Sequence, residues 1–96
     1  MRSIKKKSKK RVGVVGTGFI AKGFVRALKN CDDLAVTRVL TRRDIRACVD
    51  FSKKRALTDS VVELVENSDI VVECSGDVIH ATAVIDQVLQ AKKPVV

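Results

Sequence analysis

Residues 11–24 read RVGVVGTGFIAKGF, and this stretch decides the fold. Val12, Val14 and Val15 are β-branched and nearly continuous, the pattern of a short strand buried on both faces. Gly16-Thr17-Gly18 interrupts it. From Phe19 to Asn30 the apolar residues return at helical spacing, with Ile20, Ala21, Phe24, Val25 and Leu28 on one face. A strand, a glycine turn and a helix therefore follow one another, and the small residues fall in a G-x-G-x-x-A pattern at Gly16, Gly18 and Ala21. Gly16 permits the tight turn, Gly18 lets the backbone approach a pyrophosphate, and Ala21 lets the helix pack closely on the strand. Thr17, Phe19 and Ile20 complete the loop around such a ligand. The N–H groups and positive dipole end of the helix face the diphosphate of a dinucleotide. The competing reading is a tight strand-to-helix turn with no ligand; the strand–turn–helix context favours the dinucleotide.

Outward from this stretch, strand and helix alternate. A second strand is expected at about Leu34–Leu40, with Asn30 suited to a left-handed stop after the first helix. Thr41-Arg42-Arg43-Asp44 has the form of a capping box, opening a short helix with Ile45, Cys48 and Val49 inward. Arg55-Ala56-Leu57 reads as a short third strand, and Ser60-Val61-Val62-Glu63 as a second capping box whose helix Asn67 can end. A fourth strand spans about Ile70–Cys74. Ser75-Gly76-Asp77 then turns into a long helix offering Ala81, Ala83, Val84, Val88 and Leu89 for packing, and Pro94-Val95-Val96 starts a fifth strand. This alternation specifies an α/β fold with a doubly wound parallel sheet, the Rossmann arrangement, cut after its fifth strand.

Composition bounds the function. Ninety-six residues with 46% hydrophobic and 3% aromatic content fit one small domain whose core is aliphatic. The net charge of +8 is unevenly placed: residues 1–11 hold seven of the 19 basic residues and no acid. The remaining 12 basic residues face 11 acidic ones. Residues 1–10 therefore read as a basic, disordered leader and residues 11–96 as the folded domain. Without interleaved aromatic residues for base stacking, nucleic acid is not the expected partner. No apolar run approaches the roughly 20 residues of a membrane span, and no apolar segment follows the basic start as in a signal peptide. Cys31, Cys48 and Cys74 lack C-x-x-C spacing, which suits a reducing cytoplasm and argues against a structural metal site.

In such a sheet the ligand lies at the carboxyl ends of the strands. An acid about 20 residues past the glycine turn ordinarily binds the adenosine ribose of NAD. Here the positions 23 to 25 residues after Gly18 are Thr41, Arg42 and Arg43. Two guanidiniums suit the 2′-phosphate of NADP. Against this stand two alternatives: ordinary solvated charges at a helix start, or Asp44 reaching the ribose hydroxyl of NAD. Cys74, Ser75 and Gly76 lie where the fourth strand ends, beside the nicotinamide end of the cofactor. Cys74 reads as a small core residue rather than a nucleophile. The lone His80 has no visible nucleophile–base pair.

Three segments, VGVVGTGFIAKGFVRAL (12–28), VLTRR (39–43) and SDIVVECSGDVIHATAVIDQVLQAKKPVV (68–96), resemble the N-terminal cofactor domain of homoserine dehydrogenase-like oxidoreductases. They are also similar to the glucose–fructose oxidoreductase/inositol dehydrogenase family and to aspartate dehydrogenase. The resemblance implies that Gly16, Gly18 and Ala21 hold the diphosphate, that Arg42 and Arg43 hold the adenosine ribose end, and that Ser75 and Gly76 neighbour the nicotinamide ribose. It further implies a second domain, absent here, that carries the catalytic residues and the small-molecule substrate. No catalytic residue is assigned within this chain. A sheet ending at its fifth strand leaves apolar surface and strand edge for self-association. A non-catalytic nucleotide-sensing module is the alternative function.

Overall fold

The computed structural model describes residues 9–42, 44–47 and 54–96. Four parallel strands form one sheet in the order β3-β2-β1-β4: β1 is Lys10–Val15, β2 Leu34–Leu40, β3 Leu57–Thr58 and β4 Ile70–Glu73. The helices are α1 at Phe19–Leu28, α2 at Val61–Glu66 and α3 at Val78–Gln90. Val95 continues the sheet beside β4, bridging Val71 in parallel, and the Glu73 amide donates to the Val96 carbonyl. Of the expected fifth strand the structure shows this one bridge, outside the four strands of the sheet.

Strand alternation divides the core into two layers. Val12 and Val14 face α1 and pack with Ala21, Val25, Val36 and Val39. Val15 points the other way, toward Leu40, Leu64, Val71, Val84 and Val88. Helices thus cover both faces, and both clusters are aliphatic. Fully burying one such side chain contributes roughly 1.5–3 kcal/mol. Val36 and Val39 share a face although three residues apart, because a bulge at Thr37 shifts the β1–β2 register between Val12 and Gly13. The Thr37 hydroxyl donates to the Asn67 carbonyl at 2.5 Å, with the Val12 carbonyl 3.4 Å away. At Gly13 a Cβ would lie 2.2 Å from the buried Ser68 Oγ and 2.8 Å from Leu64 Cδ1, so glycine is what allows the end of α2 to lie against β1.

Several local expectations are corrected. Among the described residues no asparagine has a positive φ: α1 ends at Lys29 in the right-handed region, its N–H donating to the Arg26 carbonyl, so Asn30 is no left-handed stop. Ile20 lies on the solvent side of α1 and is 66% exposed. The Thr41 N–H is given to the Thr58 carbonyl, not to Asp44 as the expected capping box requires, and the Asp44 carboxylate accepts from the Arg46 N–H. Ile45–Ala47 is a 3-10 turn with Ile45 exposed; Cys48 and Val49 of the expected helix lie outside the described residues. Lys54–Ala56 is likewise a 3-10 turn, and the third strand starts two residues later than expected, at Leu57. Ser60 does cap α2, accepting from the Glu63 N–H at 3.2 Å. The Glu63 carboxylate pairs with Arg38 instead of completing the box. Ala83 and Leu89 are exposed on α3, whereas Ala81, Val84 and Val88 are buried.

Arg11 fastens β1 to the approach of β4. Its amide donates to Asp69 Oδ2 at 2.8 Å and its guanidinium reaches Oδ1 at 3.0 Å, while the Asp69 amide returns a bond to the Arg11 carbonyl. These donors, the guanidinium foremost, lower the Asp69 pKa to about 2. A carboxylate depressed in the folded state contributes stability above its unfolded pKa near 3.9 and loses that contribution as pH falls through its folded value. Asp69→Asn is therefore expected to lower the urea midpoint at pH 7 and to narrow its gap from wild type between about pH 4 and pH 2. Equal midpoints at pH 7 would show that the exposed pair contributes nothing.

Candidate dinucleotide-binding site

The carboxyl ends of β1, β2 and β4 converge on the glycine turn. Gly16 has φ of 113°, a conformation that glycine adopts without a Cβ penalty. Its N–H donates to the Leu40 carbonyl at 2.9 Å, and on the other side the Cys74 N–H donates to the Val15 carbonyl at 2.9 Å. The turn is thereby seated between the ends of β2 and β4. A Cβ on Gly16 would stand 2.8 Å from Ser75 Cα and 3.0 Å from Ser75 N. Gly18 differs: its φ is −80°, and a Cβ there would meet nothing within 4 Å.

No side chain caps α1 at Gly18, whereas α2 and α3 are capped by Ser60 and Asp77. A helix start with backbone donors, no capping side chain and open space above a glycine fits an anionic diphosphate. Ala21 is fully buried beneath it, so the helix lies close on the sheet.

A groove of about 260 Å³ opens here, lined by Gly16, Thr17, Gly18, Leu40, Thr41, Arg42, Ser75 and His80. Thr17 and Thr41 are buried, with their hydroxyls 3.4 Å apart. On the β4 side, Glu73 accepts from both the amide and the hydroxyl of Ser75, and the Ser75 hydroxyl accepts from the Asp77 amide. The acid that interrupts an apolar strand thus holds the loop 74–77 in shape. Asp77 Oδ1 accepts from the His80 N–H at 3.0 Å and Asp77 Oδ2 binds Arg42 Nη2 at 2.5 Å. The His80 amide lowers the Asp77 pKa most; burial opposes it, and the charge and hydrogen bond of Arg42 add smaller lowering effects.

Of the residues singled out from sequence, Gly16, Thr17, Gly18, Thr41, Arg42 and Ser75 come together in the groove. Phe19 and Ile20 stand out from the first turn of α1, 87% and 66% exposed. Gly76 is exposed on the loop after β4 with φ of 73°. Cys74 is half-buried against the core, and burial, then the Glu73 charge, raise its thiol pKa, so a reactive thiolate is disfavoured. Asp44 pairs with Arg46 in the 3-10 turn, and Arg43 lies outside the described residues. Three participants escape sequence reading: Leu40 and His80 in the lining, and Asp77 as the partner of Arg42. The sequence reads Asp77 only as part of the turn into the last helix, and its pairing across 35 residues carries no local signal.

A larger cavity of about 390 Å³ lies between α1 and β2 near Lys9, Arg26 and Lys29, away from the glycine turn. Among the described residues no group of three His, Cys, Asp or Glu side chains is placed to hold a metal ion. Nor is any helix among them long and apolar enough to cross a membrane.

The same fold recurs in solved structures. UDP-N-acetylglucosamine 3-dehydrogenase GnnA from Acidithiobacillus ferrooxidans matches 93% of this chain at 21% identity with a TM-score of 0.73. S. aureus homoserine dehydrogenase matches 93% at 24% identity with a TM-score of 0.70. The dehydrogenase MviM from Clostridium difficile matches 92% at 20% identity with a TM-score of 0.70. The chain spans 29%, 26% and 29% of those proteins, respectively. None of the curated proteins matches the sequence. Residues 16–96, which include the glycine turn, the groove and all of the sheet beyond β1, match the family described as homoserine dehydrogenase, NAD binding domain. The chain belongs to that family of nicotinamide dinucleotide-binding domains from homoserine dehydrogenase-like oxidoreductases.

Proposed function

We propose that this domain prefers NADP and serves a cytoplasmic dehydrogenase in which a further domain supplies substrate and catalytic residues. The observation that carries the preference is Arg42, exposed at the end of β2, with no acid at Thr41 or the two positions after it. NAD and NADP differ at the 2′-phosphate alone, and in this fold that group falls at the end of the second strand. Gly16, Thr17 and Gly18, with the backbone N–H groups of Phe19, Ile20 and Ala21, hold the diphosphate in this reading. Thr41, Arg42 and Arg43 hold the adenosine ribose and its phosphate. Cys74, Ser75 and Gly76 border the nicotinamide ribose, with Glu73 fixing the loop that presents them. The bound nicotinamide supplies hydride chemistry; this chain binds and orients it. The free thiols of Cys31 and Cys74 suit a reducing compartment.

A charge-assisted hydrogen bond is worth roughly 1.5–3 kcal/mol, which is about 10- to 100-fold in affinity. Exposure and salt place Arg42 at the lower end. Arg42→Ala is therefore expected to weaken NADP about tenfold and leave NAD within about twofold. Calorimetric titration of both dinucleotides against both proteins measures this. Equal wild-type affinities, or equal losses for the two cofactors, would withdraw the NADP assignment.

A further inference from the structure

We propose that Asp77 is a specificity-determining residue of the cofactor groove, holding the Arg42 guanidinium in an ion pair that a 2′-phosphate must displace and that NAD leaves intact. The inference rests on the NADP reading above and adds a competitor to it. Arg42 follows β2 and Asp77 follows β4, and β1 with its glycine turn lies between those strands. The bond between them therefore links the two sides of the groove that Arg42 lines.

The two partners are not equally free to move. Asp77 is fixed from behind: Oδ1 accepts from the His80 amide at the start of α3, and its own amide donates to Ser75 Oγ. Arg42 is the long, exposed partner, with 60% of its side chain accessible against 35% for Asp77. When an anion arrives, the guanidinium moves and the carboxylate stays as the helix cap. Asp77 then opposes the phosphate by retaining its cation. NAD brings no charge to the Arg42 position and does not meet this effect. Because the pair is exposed, its influence on an equilibrium does not exceed about fivefold. It trims the preference and does not abolish it.

The test uses Asp77→Asn, which keeps a good cap while removing the charge, together with Asp77→Ser, a second capping residue too short to reach Arg42. NADP affinity of both variants is expected to rise about two- to fivefold, NAD affinity to stay within experimental error, and the gain to vanish when Arg42 is Ala. In the absence of dinucleotide, the Arg42 Nε–Hε resonance should move on Asp77→Asn. In wild type the same resonance should move on adding NADP and not on adding NAD. Amide NMR dispersion checks that both variants fold. Unchanged NADP affinity in a wild type that still prefers NADP would overturn the role of Asp77 alone. Equal tightening of both dinucleotides, or a gain that persists without Arg42, would overturn it as well. A wild type that binds the two dinucleotides equally would overturn the NADP reading and this inference together.

Discussion

Replacing Gly16 with alanine is expected to destabilise the domain by about 3 kcal/mol, the sum of two effects at one atom. The residue sits at φ of 113°, where a side chain costs roughly 1–3 kcal/mol. The added Cβ would also press on backbone, 2.8 Å from Ser75 Cα and 3.1 Å from the Cys74 carbonyl carbon. Overpacking of that kind costs typically about 1–3 kcal/mol, and a main chain fixed by Glu73 cannot rotate away as a side-chain tip would. For a domain of this size each kcal/mol shifts the melting temperature by roughly 4–8 °C, so a fall beyond about 10 °C is expected. Gly23→Ala is the matched control. Gly23 lies in α1 at ordinary φ with open space at its Cβ position, and alanine there should stabilise by roughly 0.5–1 kcal/mol. Thermal unfolding of the two variants beside wild type gives the comparison. If Gly16→Ala melted with wild type, the close seating of the turn against the β4 loop would be wrong.

Gly18→Val separates binding from folding. Gly18 has φ of −80° and a vacant Cβ position, so valine enters without backbone strain. Its two methyl groups would occupy the open space in front of α1 that a diphosphate needs. Losing two charge-assisted hydrogen bonds, at roughly 1.5–3 kcal/mol each, weakens dinucleotide binding by at least about 100-fold. The melting temperature should stay within a few degrees of wild type. Titration calorimetry and thermal unfolding on the same sample read both quantities. Tight binding by the variant would place the diphosphate elsewhere.

The contrast between these glycines was half legible in the sequence. The motif names both, and a tight turn is expected at the first. Only the folded chain shows that Gly16 is pinned against the Cys74–Ser75 backbone while Gly18 faces open space. Local signals carried well: β2 lies at Leu34–Leu40 as its apolar run indicates, and Ser60 caps the helix that follows it. Signals that depend on partners distant in sequence did not. The bulge at Thr37 breaks the two-residue alternation because a hydroxyl finds the Asn67 carbonyl. The Thr41 N–H looks available to a capping box until Thr58 claims it. Glu73 looks misplaced in an apolar strand until Ser75 folds back onto it. Arg42 was legible as a cation at the end of the second strand, and its pairing with Asp77 was not, since sheet order alone brings them together.

Amide chemical-shift mapping during titration with NADP tests most directly whether the glycine turn is the cofactor site. Perturbations are expected to concentrate at residues 16–21, at Thr41 and Arg42, and at residues 75–77, and to be reproduced by NAD except near Arg42. Perturbations confined to the basic cavity around Lys9, Arg26 and Lys29, or none at saturating dinucleotide, would contradict the assignment of the groove.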